Sequence, residues 1–166
     1  MSKNKTVKGF TLIEILVVVA LIAILTAITF IAINPNKIFM DARNTTRRAD
    51  ISEILSAITQ YTSKQGNSLG DFTVVDASLA IPTCTADPAD MAEIGPAADP
   101  ALYVDLTTIL VGVEDFIVGI PFDPSLTAAT AASGGYGYTI CQTSTGRVQI
   151  NAPLAEPSGT EISVKR

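Results

Sequence analysis

The residue types that carry most acid–base and metal chemistry are sparse in this chain. None of its 166 residues is histidine, so the commonest general base and metal ligand is missing. Its two cysteines, Cys84 and Cys141, are too far apart for a CxxC or another metal-ligand spacing. The sequence therefore predicts no catalytic residue, no metal site and no cofactor, and it argues against an enzyme.

One carboxylate stands where charges are rare. Glu14 interrupts an otherwise uncharged apolar run from Phe10 to Ile33. A charged side chain at the centre of a membrane span costs about 2.5–3.5 kcal/mol on insertion scales, and less near the interface, so it normally has a partner. No cation lies three or four residues away within the run. A cut between Gly9 and Phe10 would create one, because it exposes a positive α-amine on Phe10 that could pair with Glu14 in a low-dielectric environment.

The apolar run itself is long enough to cross a membrane. As a helix, residues 10–33 would span about 36 Å, against a hydrocarbon core of about 30 Å. The run exceeds the roughly 7–15 apolar residues of an ordinary secretory signal. Lys3, Lys5 and Lys8 precede it, but Lys37 and three arginines follow it, so the charge count alone does not orient the span.

A second helical segment is predicted after Pro35, where a kink or a locally unwound turn is expected because proline removes a backbone donor. The segment covers residues 34–65 and should end near Gly66, whose freedom to adopt a positive φ suits a helix cap. Its apolar residues recur at helical spacing and form one stripe that must be covered. The stripe comprises Ile51, Ile54, Leu55, Ile58 and Thr62, flanked by Ala49 and Tyr61.

The polar side of this segment is predicted to be charged, with Arg43 and Arg47 one turn apart and Asp50 three residues further on. We expect these arginines, together with Arg48, either to contact an acidic region of another molecule or simply to face solvent. The sequence leaves both alternatives open.

Residues 66–166 predict a globular head with a small antiparallel sheet laid over the helix stripe, which is an α+β architecture. Residues 136–143 and 147–152 are typical of a hairpin, and Ile162 and Val164 suggest a third strand. Leu102–Val118 could form a short helix, and two prolines make residues 120–124 a turn.

The head is acidic. Residues 66–166 carry twelve carboxylates and three cations, a net charge of −9, whereas residues 34–65 carry five cations and three carboxylates, a net charge of +2. Binding to a phosphate backbone is driven by Lys and Arg, so the head is not expected to bind nucleic acid. In an exported head, Cys84 and Cys141 are expected to form a disulfide; two free thiols are the alternative for a cytosolic chain.

The stretch Lys8-Gly9-Phe10-Thr11-Leu12-Ile13-Glu14, ahead of a long apolar run, resembles the N-terminal signature of type IV pilins and the related pseudopilins. The resemblance implies that a prepilin peptidase cuts after Gly9 on the cytoplasmic face and N-methylates Phe10. It also implies that Glu14, the fifth mature residue, is needed for methylation and for docking each subunit into a filament. The later Asn34-Pro35-Asn36-Lys37 and Arg43–Asp50 stretches resemble this group less specifically.

Two departures from the family pattern bear on finer roles. The helix-breaking Pro35 lies a few positions later than is usual. The Pro121-Phe122-Asp123-Pro124 turn resembles a segment of the major pseudopilins of type II secretion, but Ser125-Leu126 follow it where an aromatic residue and a calcium loop are common, which weakens a calcium site near Asp123. Asn44-Thr45-Thr46 matches a glycosylation sequon, which is not expected to be used on such a helix.

The resulting prediction is a non-enzymatic filament subunit with a type IV pilin-like fold. It has a leader (1–9), an apolar helix for membrane and filament core (10–33), an amphipathic continuation (34–65) and a head (66–166). Its expected partners are copies of itself in a helical filament, prepilin peptidase and the pilus or secretion machinery of the inner membrane. The precursor is expected in that membrane with a cytoplasmic N-terminus, and the filament outside the cell or in the periplasm. The rival interpretations are a pseudopilin of secretion or DNA uptake and a signal-anchored extracellular binding module that never polymerises.

Overall fold

The structure, a computed structural model, describes residues 9–32, 34–72, 81–85, 91–96 and 103–166. The predicted leader is outside this part of the chain except for Gly9. The chain divides into two compact units whose boundary falls between Ile38 and Phe39.

The first helix, α1 (Leu12–Ala32), is apolar on every side. Its segment Leu12–Phe30 is long and apolar enough to cross a membrane, and none of that segment is buried within the molecule. The hydroxyls of Thr26 and Thr29 donate to the carbonyls of Ile22 and Leu25, at 2.7 and 2.9 Å, so these polar groups are satisfied inside the helix. Glu14 is the one ionisable residue of α1.

The second helix, α2 (Pro35–Ser63), begins where proline is tolerated. Asn34 caps it, because the backbone N–H of Lys37 donates to Asn34 Oδ1 at 3.3 Å, and Pro35 occupies the first helical position, where no donor is needed. α1 therefore ends before the proline and α2 starts at it. At the other end Gly66 adopts a φ of +96°, which agrees with the predicted helix end.

The sheet is mixed. In the described part of the chain it contains β1 (Ala92–Ile94), β2 (Tyr103–Val104), β3 (Thr139–Gln142), β4 (Val148–Asn151) and β5 (Ser163–Lys165), in the order β2-β1-β3-β4-β5. Neighbouring strands are antiparallel except β1 and β2, which run parallel. The α+β prediction is confirmed, while the expectation of a purely antiparallel sheet is wrong at this edge.

The predicted hairpin and third strand are present. β3 and β4 pair with Ile140 opposite Ile150, and Val164 of β5 lies opposite Ile150 on its other side. The connecting turn is closed by a 2.9 Å hydrogen bond from the N–H of Gly146 to the carbonyl of Thr143. Gly146 has a φ of +81°, a conformation that favours glycine.

The helix suggested for residues 102–118 is shorter than predicted. The strand β2 occupies the start of this segment. Within its described residues only Thr108–Val113 is helical, as one π-helical turn. Leu106 and Leu110 are buried as the pattern requires, and Leu102 lies outside the described residues. A two-residue strand has no periodicity that a sequence can display, which is why the boundary was missed. A short helix, α3 (Ala128–Ser133), follows further along the chain, capped by the hydroxyl of Thr127.

The core lies between one face of α2 and the sheet. The predicted stripe is buried at Ile51, Ile54, Leu55 and Ile58, and Tyr61 belongs to it, whereas Thr62 is half-buried and Ala49 is exposed. Its partners are residues of the sheet and of the connections to it, chiefly Phe72, Ile94, Val104, Leu106, Leu110, Tyr138, Ile140 and Ile150.

The disulfide between Cys84 and Cys141 is present and links residues 57 positions apart. It fixes the segment before β1 to the strand β3. Backbone hydrogen bonds from Cys84 to Gln142 and from Gln142 to Pro82, at 2.9 and 2.8 Å, reinforce the same attachment. The crosslink restricts the unfolded chain and so stabilises the head.

Candidate functional site

The first turn of α1 forms around Thr11. The backbone N–H of Glu14 donates to Thr11 Oγ1 at 3.3 Å and to the Thr11 carbonyl at 3.2 Å. Thr11 therefore acts as the helix cap, and Glu14 occupies the third helical position, as in the Thr-x-x-Glu capping pattern. A carboxylate in this first turn interacts favourably with the positive end of the helix dipole.

The surroundings of this turn are open. Phe10 is 80% exposed, and Gly9 has no atom near the place where a side chain would begin. The Glu14 side chain is exposed, and among the described residues it makes no hydrogen bond or ion pair. The structure thus places Gly9, Phe10 and Glu14 together at the start of α1, and its described part offers Glu14 no partner for its charge.

A second polar constellation lies between α2 and the head, and we call Arg43, Asn44, Arg47, Asp123 and Glu156 the ion cluster. At its centre the guanidinium of Arg47 is completely buried. Arg47 Nε donates to Asp123 Oδ2 at 2.7 Å, and its Nη2 donates to Asp123 Oδ1 at 3.0 Å. This bidentate geometry is the strongest form of a side-chain ion pair.

The rest of the ion cluster binds Nη1, the remaining nitrogen of the guanidinium. Arg47 Nη1 donates to Asn44 Oδ1 at 2.9 Å and to Glu156 Oε2 at 3.2 Å. Arg43 holds the same Glu156 carboxylate through two hydrogen bonds, of 2.5 and 2.8 Å. Asn44 also bonds the backbone of Glu156 on both sides, as a donor to its carbonyl and as an acceptor from its N–H. Every buried polar side-chain atom in the described residues has a partner.

The ion cluster shifts the pKa values of its carboxylates. Burial alone would raise the pKa of Asp123, but hydrogen bonds from Arg47 and Ser125 outweigh it and hold that pKa below its usual value. The hydrogen bonds from Arg43 are the main reason why the pKa of Glu156 is lowered. Both carboxylates are therefore charged at neutral pH.

A neighbouring carboxylate behaves in the opposite way. Asp50 Oδ2 accepts a 2.6 Å hydrogen bond from the hydroxyl of Tyr138, a buried residue of the sheet. Burial raises the pKa of Asp50 in spite of this bond, and burial is also the main cause of the raised pKa of the Tyr138 hydroxyl. This contact is a further polar attachment between α2 and the sheet.

The ion cluster corrects the expected charged side of α2. Arg47 does not face solvent. It lies on the buried face of α2, one turn before the apolar stripe that begins at Ile51. Arg43 is partly exposed and is held by Glu156 of the same chain. Only Arg48 of the three arginines is exposed without an ion-pair partner among the described residues.

The surroundings of Asp123 and Asn44 bear on a calcium site and on the glycosylation sequon. Asp123 is fully buried, and Arg47, the hydroxyl of Ser125 and the N–H of Ser125 occupy its carboxylate oxygens. Its charge is neutralised by a guanidinium, which disfavours a second cation there. The side chain of Asn44 is buried and hydrogen-bonded at both its nitrogen and its oxygen, so the sequon does not present an accessible amide.

Sequence reasoning missed the ion cluster, but one signal for it was available. Counting back from Ile51 and Ile54 at helical spacing leads to Arg47 and Asn44, so the buried stripe continues through polar residues. A basic residue on such a stripe predicts an acidic partner in the covering domain. Twelve carboxylates were candidates, and nothing in the sequence singles out Asp123 and Glu156.

The comparisons with known proteins agree with the arrangement at the start of α1. Residues 4–30 match the family described as the prokaryotic N-terminal methylation motif. No match is found in the comparison with curated proteins or in that with solved structures. The motif, followed by an apolar helix and an α+β head, supports a type IV prepilin- or pseudopilin-like protein. It points to a structural, non-enzymatic role and fits a membrane-anchored precursor.

The ion cluster yields a prediction for stability. Arg47→Met should lower the free energy of unfolding by about 3–5 kcal/mol, because it leaves the buried Asp123 charge unpaired. The matched control Arg48→Met changes an exposed neighbour and should stay within about 0.5 kcal/mol. Chemical denaturation in detergent, followed by near-ultraviolet circular dichroism of the tyrosines, measures both. A loss for Arg47→Met no larger than that of the control would contradict the inferred role.

The pH dependence of stability follows from the lowered pKa values. Above the ordinary values of 3.8 for Asp123 and 4.5 for Glu156, both carboxylates are charged in the folded and unfolded chain, so their contribution is complete. As the pH falls below these values the unfolded chain binds protons first, and the free energy of unfolding decreases. Between about pH 5 and pH 2, the Arg47→Met/Asp123→Leu double variant should lose less stability than the wild-type chain. Parallel curves for the two proteins would refute this assignment.

Proposed function

We propose that this chain is the structural subunit of a type IV pilus-like filament, cut by prepilin peptidase between Gly9 and Phe10 and N-methylated on Phe10. The observation that carries the proposal is the isolated carboxylate of Glu14 in the first turn of a helix that has no other ionisable residue. The methylation motif across residues 4–30 supports it.

Processing supplies the partner that Glu14 lacks. Cleavage turns the nitrogen of Phe10 into a positive amine four residues before Glu14. At a separation of 4 Å such a pair gains about 4 kcal/mol at the effective dielectric of a protein surface, and more where water is excluded. This gain can offset the cost of holding the carboxylate at the edge of an apolar layer. The exposed Gly9 and Phe10 leave the scissile bond accessible to a peptidase.

The apolar surface of α1 suits both a membrane and a filament core. A helix that is apolar all round requires an apolar environment on every side. The bilayer supplies this environment before assembly, and packed copies of α1 supply it in a filament core. We propose this order of events: the subunit is first inserted in the inner membrane with its N-terminus in the cytoplasm, and it then joins a filament outside the cell or in the periplasm. The assembly machinery and other copies of the chain are its partners.

A pseudopilin of a type II secretion or DNA-uptake system is the second candidate, because the Pro121–Pro124 turn resembles that of major pseudopilins. Both candidates use the same processing and the same helix packing, and they differ in the machinery around them. A non-polymerising signal-anchored module would have no use for Glu14, since a carboxylate in the span makes anchoring less favourable.

Mass spectrometry of the mature chain tests the processing step. The mature N-terminus should be Phe10 carrying one methyl group, and the loss of three lysines with the leader should change the net charge from −5 to −8. A mature chain that starts after Ile33, or one that retains residues 1–9 in assembled fibres, would overturn the proposal.

Substitution of Glu14 tests the docking step. Glu14→Gln removes the charge with little change in shape, and we expect membrane insertion to persist while sheared-fibre yield falls at least about tenfold, equivalent to a loss of 1.4 kcal/mol or more in docking. Thr26→Val, which removes a polar group from the same helix without changing its charge, is the control and should assemble normally. Fibres from Glu14→Gln at the wild-type yield would show that the carboxylate is not needed for docking.

A further inference from the structure

The charges of the head are separated along the chain. Residues 66–146 contain ten carboxylates and neither lysine nor arginine. The three cations of the head, Arg147, Lys165 and Arg166, all belong to its last twenty residues. In that stretch Glu156 is already held by Arg43 and Arg47, and Glu161 is exposed and forms no ion pair with a residue that the structure describes.

The fold gathers the three cations at one corner of the sheet. Val148 and Arg166 exchange backbone hydrogen bonds of 3.1 and 3.0 Å, which sets Arg147 of the hairpin turn beside the end of β5. Lys165 lies opposite Gln149 in the adjacent register position. All three cations are exposed, and none forms an ion pair with a residue that the structure describes. We call them the basic corner.

The other edge of the sheet is acidic. Among the described strands β2 is the edge strand there, and β1 lies next to it. Glu93 belongs to β1, and its carboxylate accepts a 3.1 Å hydrogen bond from the N–H of Gly137. Asp105 directly follows β2, and both residues are partly exposed. The Asp105 carboxylate accepts from the N–H of Thr107 and the hydroxyl of Thr108, at 2.8 and 2.7 Å, and is not neutralised by a cation in the described residues. We call Glu93 and Asp105 the acidic edge.

From this separation we propose that the basic corner of one head docks on the acidic edge of the next copy of this chain. The two surfaces lie on opposite edges of one sheet, so the contact is heterologous: each subunit uses one surface toward one neighbour and the other surface toward the next. Heterologous contacts propagate into rings or helical filaments, whereas a self-complementary patch would stop at a dimer. Opposite charges facing each other also fix the order of subunits and accelerate their encounter.

Protection of an edge strand is the competing explanation for the basic corner. A single lysine on an exposed edge prevents unwanted strand pairing, and Lys165 alone would serve that purpose. Arg166 extends the same edge, because it exchanges backbone hydrogen bonds with Val148, but Arg147 lies in the turn outside β5 and has no part in protecting that edge. All the cations of an otherwise acidic head lie at one corner. This arrangement favours a binding surface for an acidic partner over simple protection of the edge strand.

This inference depends on the proposed filament, and charge reversal in the full chain tests it. Arg147→Glu/Lys165→Glu should reduce fibre yield at least about tenfold, because like charges across a contact cost more than 1.4 kcal/mol. The control Ser158→Glu adds an exposed negative charge at a site outside the basic corner and should leave yield unchanged. Adding Asp105→Lys to the double reversal should restore part of the yield by restoring the opposite charges.

Cysteine crosslinking locates the contact independently. Cys84 and Cys141 are paired, so introduced cysteines are the available thiols. Fibres assembled from a mixture of Lys165→Cys and Asp105→Cys chains should give a disulfide-linked dimer, and fibres of either variant alone should not. Normal fibres without the mixed dimer, or crosslinking of Lys165→Cys only to a different protein, would overturn the docking and leave the filament function intact. If the wild-type chain gives no fibre and Phe10 is unmethylated, the proposed function itself fails.

Discussion

The buried ion pair between Arg47 and Asp123 is the interaction on which the arrangement of the head depends. A guanidinium without access to water must find acceptors inside the protein, because an unpaired buried charge is destabilising by several kcal/mol. Its acceptors lie on two separate segments, Asp123 before α3 and Glu156 between β4 and β5. The ion cluster therefore fixes two connections of the head to α2. Apolar packing of Ile51, Ile54 and Ile58 is nondirectional and would tolerate sliding, whereas bidentate hydrogen bonds set one position along the helix.

The parts of the fold that the sequence predicts are those with strong local patterns. The apolar run, the helix stripe and the hairpin each follow a period or a turn signal that is several residues long. Pro35 also marks the break between the two helices, since proline fits only the first turn of α2. The same holds for the start of α1, where Gly9, Phe10 and Glu14 are adjacent in the sequence and their roles need no tertiary contact to be inferred.

The parts that escaped prediction arise from contacts between distant residues. β1 and β2 have three and two residues, too few for an alternating pattern, and their parallel pairing is a property of the whole sheet. Arg47 and Asp123 are 76 residues apart, and an acidic head supplies many carboxylates of equal local character. Asp123 differs from most of the other carboxylates in being buried, and the burial of a charged residue cannot be predicted from that residue alone. The expectation of a solvated arginine follows the general preference of charged side chains for solvent, which is overridden here because the buried stripe of α2 continues from Ile51 through Arg47 to Asn44.

Arg47 and Glu14 are both charged residues on otherwise apolar helix faces, but only Arg47 is paired within the part of its own chain that the structure describes. This difference bears on function. Arg47 is enclosed by its own chain, with its donors satisfied, and it contributes to a stable head. Glu14 is equally out of place in α1, yet its chain provides no counter-charge among the described residues. A buried charge that is paired within its own chain stabilises the fold, whereas a charge on an apolar surface without such a partner needs another molecule or a covalent modification to pair with it. The same reasoning separates Arg43, which is bound to Glu156, from the unpaired basic corner. Charges used within the chain thus stabilise the head, and under the proposed function the unpaired basic corner is the candidate contact with the next subunit.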